Sequence, residues 1–142
     1  MPTADIKFGR FKDGRGYFAR VVLEVERPSS TPGTDFSCSG QGFRSQGYVE
    51  EVPPTGYNDW KGGAKAGIAF ALATAGAPDC RVNVTKIEGL GTDTNPTVVA
   101  YSAALAVWKA LGVELPKEPV EKLEALVFTS WKRPYDEVPT LG

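Results

Sequence analysis

Residues 80–112 read CRVNVTKIEGLGTDTNPTVVAYSAALAVWKALG, and the fold turns on this stretch. CRVNVTKIE places Val82 and Val84 on one face at the period of a strand. The glycines of GLGTDT then break it. Asn95 suits a helix N-cap, Pro96 its first position and Gly112 its end, which predicts a helix over 96–111. Lys109 is the only charged side chain in that helix, so we expect it to be covered on two sides. The loop between strand and helix has three readings: it could cradle an anion, touch RNA, or simply start the helix.

Upstream, DIKFGRF has Ile6, Phe8 and Phe11 near the sheet period, and KDGRG supplies the Asp-Gly hairpin signal. In the return strand YFARVVLEVE, Val21, Leu23 and Val25 take one face, and Arg20, Glu24 and Glu26 the other. RPSSTPGT is a turn by composition. DFSCSGQGF is a weaker third strand, with Gly40 and Gly42 suggesting a bulge or edge. A helix is expected over 58–75, capped by Asn58 or Asp59 and stopped at Gly76, with Trp60, Ala64, Ile68, Leu72 and Ala75 in one stripe. Its Gly62, Gly63 and Gly67 each cost about 1 kcal/mol relative to alanine in a helix interior, which close approach to a neighbouring backbone would offset. Downstream, Val120, Leu123, Val127 and Trp131 line up as a third helix, and KRPYDEVPTLG reads as extended or disordered.

The expected strands are thus 5–11, 16–26, 35–43 and 80–88. The order β-β-β-α-β-α, plus a C-terminal helix, predicts an α+β fold, a two-layer α/β sandwich with the helices on one face of the sheet. Residues 1–116 are expected to form this domain. Residues 117–142 are expected to pack on it or on a partner chain, because their apolar stripe needs cover.

The composition narrows the chemistry. The chain has 142 residues, is 42% hydrophobic and 23% charged, and carries a net charge of −1. It therefore has no overall electrostatic footprint for nucleic acid, although a local basic patch is compatible with it. There is no histidine, which excludes Ser-His-Asp and Cys-His catalysis. Cys38 and Cys80 cannot make a standard zinc site without histidine, and both read as buried free thiols. No cofactor or metal is expected. MPTADIKFGR lacks an apolar stretch, so we expect no leader, no membrane partner and a cytoplasmic location. Asp59 and Asp79 fit capping and turns, and Lys65 fits a lysine reaching out from a helix, better than catalysis.

Four segments, in this order and spacing, resemble domain IV of elongation factor G, which has the ribosomal protein S5 domain 2-like fold. KDGRGYFARV is similar to that family's Gly-Arg-Gly hairpin and long second strand. GYNDWKGGAKAGIAFALATAG resembles its first helix, including the Lys-x-Gly-Ile step. CRVNVTKIEG resembles its fourth strand, and TDTNPTVVAYSAALAVWKA its loop and second helix. The likeness covers about residues 5–111. It implies a left-handed crossover, a sheet order of third, second, first, fourth strand, and a shared tip formed by residues 12–16 and 89–95. In elongation factor G that tip enters the ribosomal decoding site. Its histidine is matched here by Thr92, while the neighbouring acidic residue is retained as Asp93. No P-loop pattern occurs, so the resemblance carries no translocase activity.

The resemblance makes a non-enzymatic binding module the leading functional expectation, with RNA or the ribosome as partner. Its candidate site is Lys12, Arg15, Gly91, Thr92, Asp93, Thr94 and Asn95. Lys7, Arg10, Lys12, Arg15 and Arg20, interleaved with Phe8, Phe11, Tyr17 and Phe18, could form a phosphate-and-stacking surface, but strand alternation alone explains the pattern, so a strand with an aromatic core face and a solvated basic face is the preferred reading. The alternative is an oligomeric protein or small-ligand binder without nucleic-acid contact, assembling as a homo-oligomer through its helical face or C-terminal segment.

Overall fold

The computed structural model describes residues 2–141. It is an α+β fold, a five-stranded sheet with three α-helices. Strands β1 (Thr3–Lys12) and β2 (Arg15–Glu26) form the predicted hairpin. β3 (Gly33–Phe36) and β4 (Glu50–Glu51) precede helix α1 (Asn58–Thr74), and β5 (Arg81–Gly89) leads to α2 (Pro96–Leu111). Helix α3 (Lys117–Val127) and a short 3-10 turn at Ser130–Lys132 follow.

The sheet order is β1-β2-β5-β3, with β4 also on β5. This corrects the order implied by the family resemblance. The strand expected fourth is central: β5 runs antiparallel to β2 and parallel to β3. Its sequence suits that place, because Val82, Val84 and Ile87 are all fully buried. Thr85 is the extra residue of a bulge against Val22–Leu23, which shifts the buried face from even to odd positions. Its hydroxyl donates to the Val22 carbonyl at 3.2 Å.

The third strand is shorter than the predicted 35–43. Beyond Ser37 the chain leaves β5, and Gly40 and Gly42 donate to the carbonyls of Val52 and Glu51. Gly40 lies so close to Glu51 that a Cβ there would overlap its backbone. The glycines thus mark where one pairing is exchanged for another.

Helix α2 is punctuated as expected. The Asn95 side chain accepts from Val98 N at 3.0 Å, and Gly112 closes the helix at φ 70°. It is buried along most of its length, between the β1–β2 hairpin, α1 and α3. Ser102 donates to the Ala19 carbonyl on the sheet side, and Trp108 Nε1 to the Ala71 carbonyl of α1. Helix α1 starts differently from prediction. Its N-cap is Tyr57 at φ 55°, without a side-chain capping bond, and Asn58 and Asp59 fall inside the first turn. Gly63 and Gly67 meet α2 at its backbone: a Cβ on either would lie 2.7–2.8 Å from main-chain atoms of Pro96 or Ala100.

α3 buries Leu123 and Val127. Trp131, expected within this helix, lies instead in the 3-10 turn. The segment after it turns at Tyr135–Asp136, where Glu137 N donates to the Pro134 carbonyl at 3.1 Å, and it returns to place Val138 against Gly62 and to bury Leu141. The outer sheet face carries paired charges: Arg20 holds Asp5 at 2.7 Å and Glu88 at 2.6 Å. The Arg20 hydrogen bond keeps the Asp5 carboxyl below its ordinary range.

Two tyrosines give the fold a base-sensitive limit. Burial pushes the Tyr101 and Tyr57 hydroxyls up to about 12, helped by Glu124 and Glu50 respectively. The folded state therefore favours the neutral phenols. That stabilisation is complete below the ordinary tyrosine value near 10 and is lost as pH rises from about 10 to 12. Melts across this window should show a steep fall that Tyr101→Phe makes shallower. An unchanged slope in the variant would refute this origin.

Candidate functional site

The hairpin turn is made by Asp13 and Gly14, at φ 52° and 78°. Positive φ at both central residues defines the type I′ turn that Asp-Gly favours. The turn sets Lys12 opposite Arg15. Both are exposed, and both cations stack on aromatic rings after α3: Lys12 Nζ lies 4.5 Å from the Phe128 ring centre and Arg15 Cζ 4.7 Å from that of Trp131.

The loop after β5 is tied to the start of β2. Phe18 N donates to the Asp93 carbonyl at 2.9 Å. Thr94 Oγ1 donates to the Phe18 carbonyl at 2.6 Å and accepts from Leu90 N at 2.8 Å. Gly16 makes this approach possible, since a Cβ on it would sit 2.5 Å from the Asp93 carboxylate. The Gly16 carbonyl accepts from Trp131 Nε1 at 3.2 Å. In GRG, then, Gly14 allows the turn, Gly16 admits the loop, and Arg15 is held between them.

Residues 12–16 and 89–93 therefore form one tip. Between them opens a cleft of about 400 Å³, walled by Phe11, Arg15, Gly16, Thr92, Asp93 and Trp131. Gly91 contributes to this cleft and, with Thr92, to a second of about 380 Å³ bounded by Phe43 and Tyr48. Phe11 is 78% exposed, and Phe43 and Tyr48 are also exposed.

The predicted site residues divide into two groups. Arg15, Gly91, Thr92 and Asp93 line the cleft, and Lys12 stands beside it over Phe128. Thr94 and Asn95 are buried and face inward. Asn95 Nδ2 donates to Ser130 Oγ at 2.9 Å, so both ends of its amide are engaged within the fold. Pro96, Thr97 and Val98 are buried as well, which keeps the α2 amino end away from the tip surface. An anion would meet Arg15 and Lys12 there, not the helix dipole.

The two aromatic walls, Phe11 and Trp131, lie outside the seven candidate site residues: in the sequence Phe11 reads only as part of a possible stacking surface and Trp131 only as part of a helix stripe. Phe11 has the parity of Asp5 and Lys7, opposite to that of buried Ala4 and Phe8, which is a legible signal for an outward ring. Trp131 has no local signal, because a tertiary bond to Gly16 brings it to the cleft.

Both cysteines and Ser102 are enclosed by the fold. Cys38 and Cys80 are buried free thiols whose pKa values are raised by burial. Ser102 is fully buried and bonded to Ala19. Among the described residues no group of three or more His, Cys, Asp or Glu is placed to hold a metal, and no helix is long and apolar enough to cross a membrane.

No protein-family model matches the chain, and neither does any curated protein. Among solved structures, a protein from Thermus thermophilus is similar, with a TM-score of 0.56 and 20% identity over 77% of this chain. The chain spans 16% of that protein's length. At this identity the likeness shows a shared fold.

Proposed function

We propose that the chain is a non-enzymatic binding module that contacts RNA, in a ribosomal setting, through the tip of residues 12–16 and 91–93. The carrying observation is the open cleft with Arg15 and exposed Phe11 on its walls and Lys12 beside it. Cations next to exposed rings suit an unpaired RNA segment, with phosphates on the guanidinium and ammonium and a base on an aromatic face. The resemblance to domain IV of elongation factor G supports the same end of the molecule and the same class of partner. The net charge of −1 supplies no general attraction, so affinity rests on these few side chains.

The test is RNA binding at several salt concentrations, with thermal melts as the folding control. Replacing Lys12 and Arg15 together with alanine should weaken binding and flatten the salt dependence, by about 0.7 of slope per lost single-strand phosphate contact. Asp93→Asn should strengthen binding, because it removes a like charge from the wall of the cleft. Melting temperatures should stay close to wild type for the double variant, whose side chains are exposed. Salt-independent binding by the wild type, or unchanged binding by the double variant, would reject the proposal.

A further inference from the structure

β1 lies at the end of the sheet and, among the described residues, pairs with β2 alone. The bond from Val25 N to the Pro2 carbonyl fixes which of its backbone groups face β2. Bonded pairs alternate along an antiparallel ladder, so even-numbered residues of β1 bond to β2. The N–H and C=O groups of Asp5, Lys7, Gly9 and Phe11 then point to the open edge. The register with β2 is continuous from Thr3 to Lys12, without bulge or proline. The strands beyond β5 are much shorter, with four residues in β3 and two in β4. Short edges are protected against further pairing, whereas a long regular edge invites another strand.

The sequence of β1 selects a copy of itself. In a two-fold antiparallel pair, a centre at Asp5 or Lys7 sets like charges opposite one another. A centre at Phe8 sets Lys7 against Gly9. A centre at Ile6 sets Asp5 against Lys7 twice, Ala4 against Phe8 twice, and Ile6 against Ile6. In that register the acid and base meet on the outer face, and Ile6, which is only half-buried, gains an apolar partner on the core face. The Asp5 carboxylate is 46% exposed, and each of its oxygens keeps a lone pair beyond its bond to Arg20.

We propose that the chain forms a two-fold dimer by antiparallel pairing of β1 with β1 of a second copy, centred on Ile6. Two sheets join into one, and the RNA-facing tips point in opposite directions, away from the pairing centre. This inference stands independently of RNA binding.

Sedimentation of the purified chain tests it. The wild type should sediment at twice the chain mass of 15.2 kDa. Lys7→Asp places carboxylates opposite Asp5 of the other copy and should give a monomer. Asp5→Lys should do the same by opposing lysines. An equimolar mixture of these two variants restores two opposite-charge pairs and should give a heterodimer. Should Asp5→Lys fail to fold by circular dichroism, Lys7→Pro serves in its place: its lost N–H faces the edge and not β2, and it should be monomeric and folded. A monomeric wild type at submillimolar concentration would overturn the proposal. So would a dimer that survives Lys7→Asp, or folded complementary variants that stay apart when mixed.

Discussion

Replacing Gly67 with alanine should destabilise the protein by about 3 kcal/mol or more, the upper range for overpacking, and lower its melting temperature by roughly 10 °C. The added methyl would lie 2.7 Å from the Ala100 carbonyl carbon and 2.8 Å from its Cα. Those atoms belong to the α2 backbone and cannot rotate aside. Relief requires moving the helices apart, which loosens the packing of Ile68, Ala71 and Trp108. Gly63→Ala should behave alike, because it meets Pro96 in the same way. Gly62→Ala is the control. Its methyl would face Val138 Cγ2 at 3.0 Å, a half-exposed side chain of the C-terminal segment that can shift. There the helix propensity of alanine, worth up to about 1 kcal/mol, offsets the crowding. Melts of the three variants check the ranking. Equal melting temperatures for Gly62→Ala and Gly67→Ala would show that helix propensity, not helix contact, governs these glycines.

The legible part of the fold is the part whose causes are local. Asn95, Pro96 and Gly112 act within one turn of the helix they bound, so α2 is found where its sequence places it. Asp13-Gly14 demands positive φ and closes the hairpin. Gly76 likewise ends α1 with φ 64°. The sheet order is not legible in this way. Nothing within RVNVTKIEG says that its two edges meet β2 and β3, because that depends on where the 37–57 segment carries the chain. The bulge at Thr85 is hidden too: strict alternation would bury Lys86, and the extra residue buries Ile87 instead. The start of α1 is set by Tyr57, whose hydroxyl is bonded to Glu50 at 2.6 Å, a contact that capping propensity does not weigh.

The candidate site divides along the same line. The tip follows from strand direction once the hairpin and the β5–α2 loop are known. Which of its polar residues are free depends on packing. Thr94 and Asn95 read as surface donors because small polar side chains are common at loop ends. In the fold they are the bolts of the loop, one to Phe18 and one to Ser130.

That division gives the second large effect. Asn95→Ala should lower stability by about 2–3 kcal/mol, from loss of the cap and an unpartnered Val98 N–H in a buried setting. Asn95 is 2% exposed, so water cannot replace either bond. Asn95→Asp keeps an acceptor for Val98 N but loses the donor to Ser130 and buries a charge, so it should not rescue. Under the proposed function, the alanine variant below its melting temperature should keep whatever salt-dependent RNA binding the wild type has, since the cleft walls at Arg15 and Asp93 are untouched. Arg15→Ala should do the reverse: a small change in melting and a flatter salt slope. Measured together, the two variants separate a residue that holds the tip from one that forms its surface. An Asn95→Ala protein that melts like the wild type but loses RNA binding would make Asn95 a ligand contact, and the tip would then have to open at the α2 amino end to expose it.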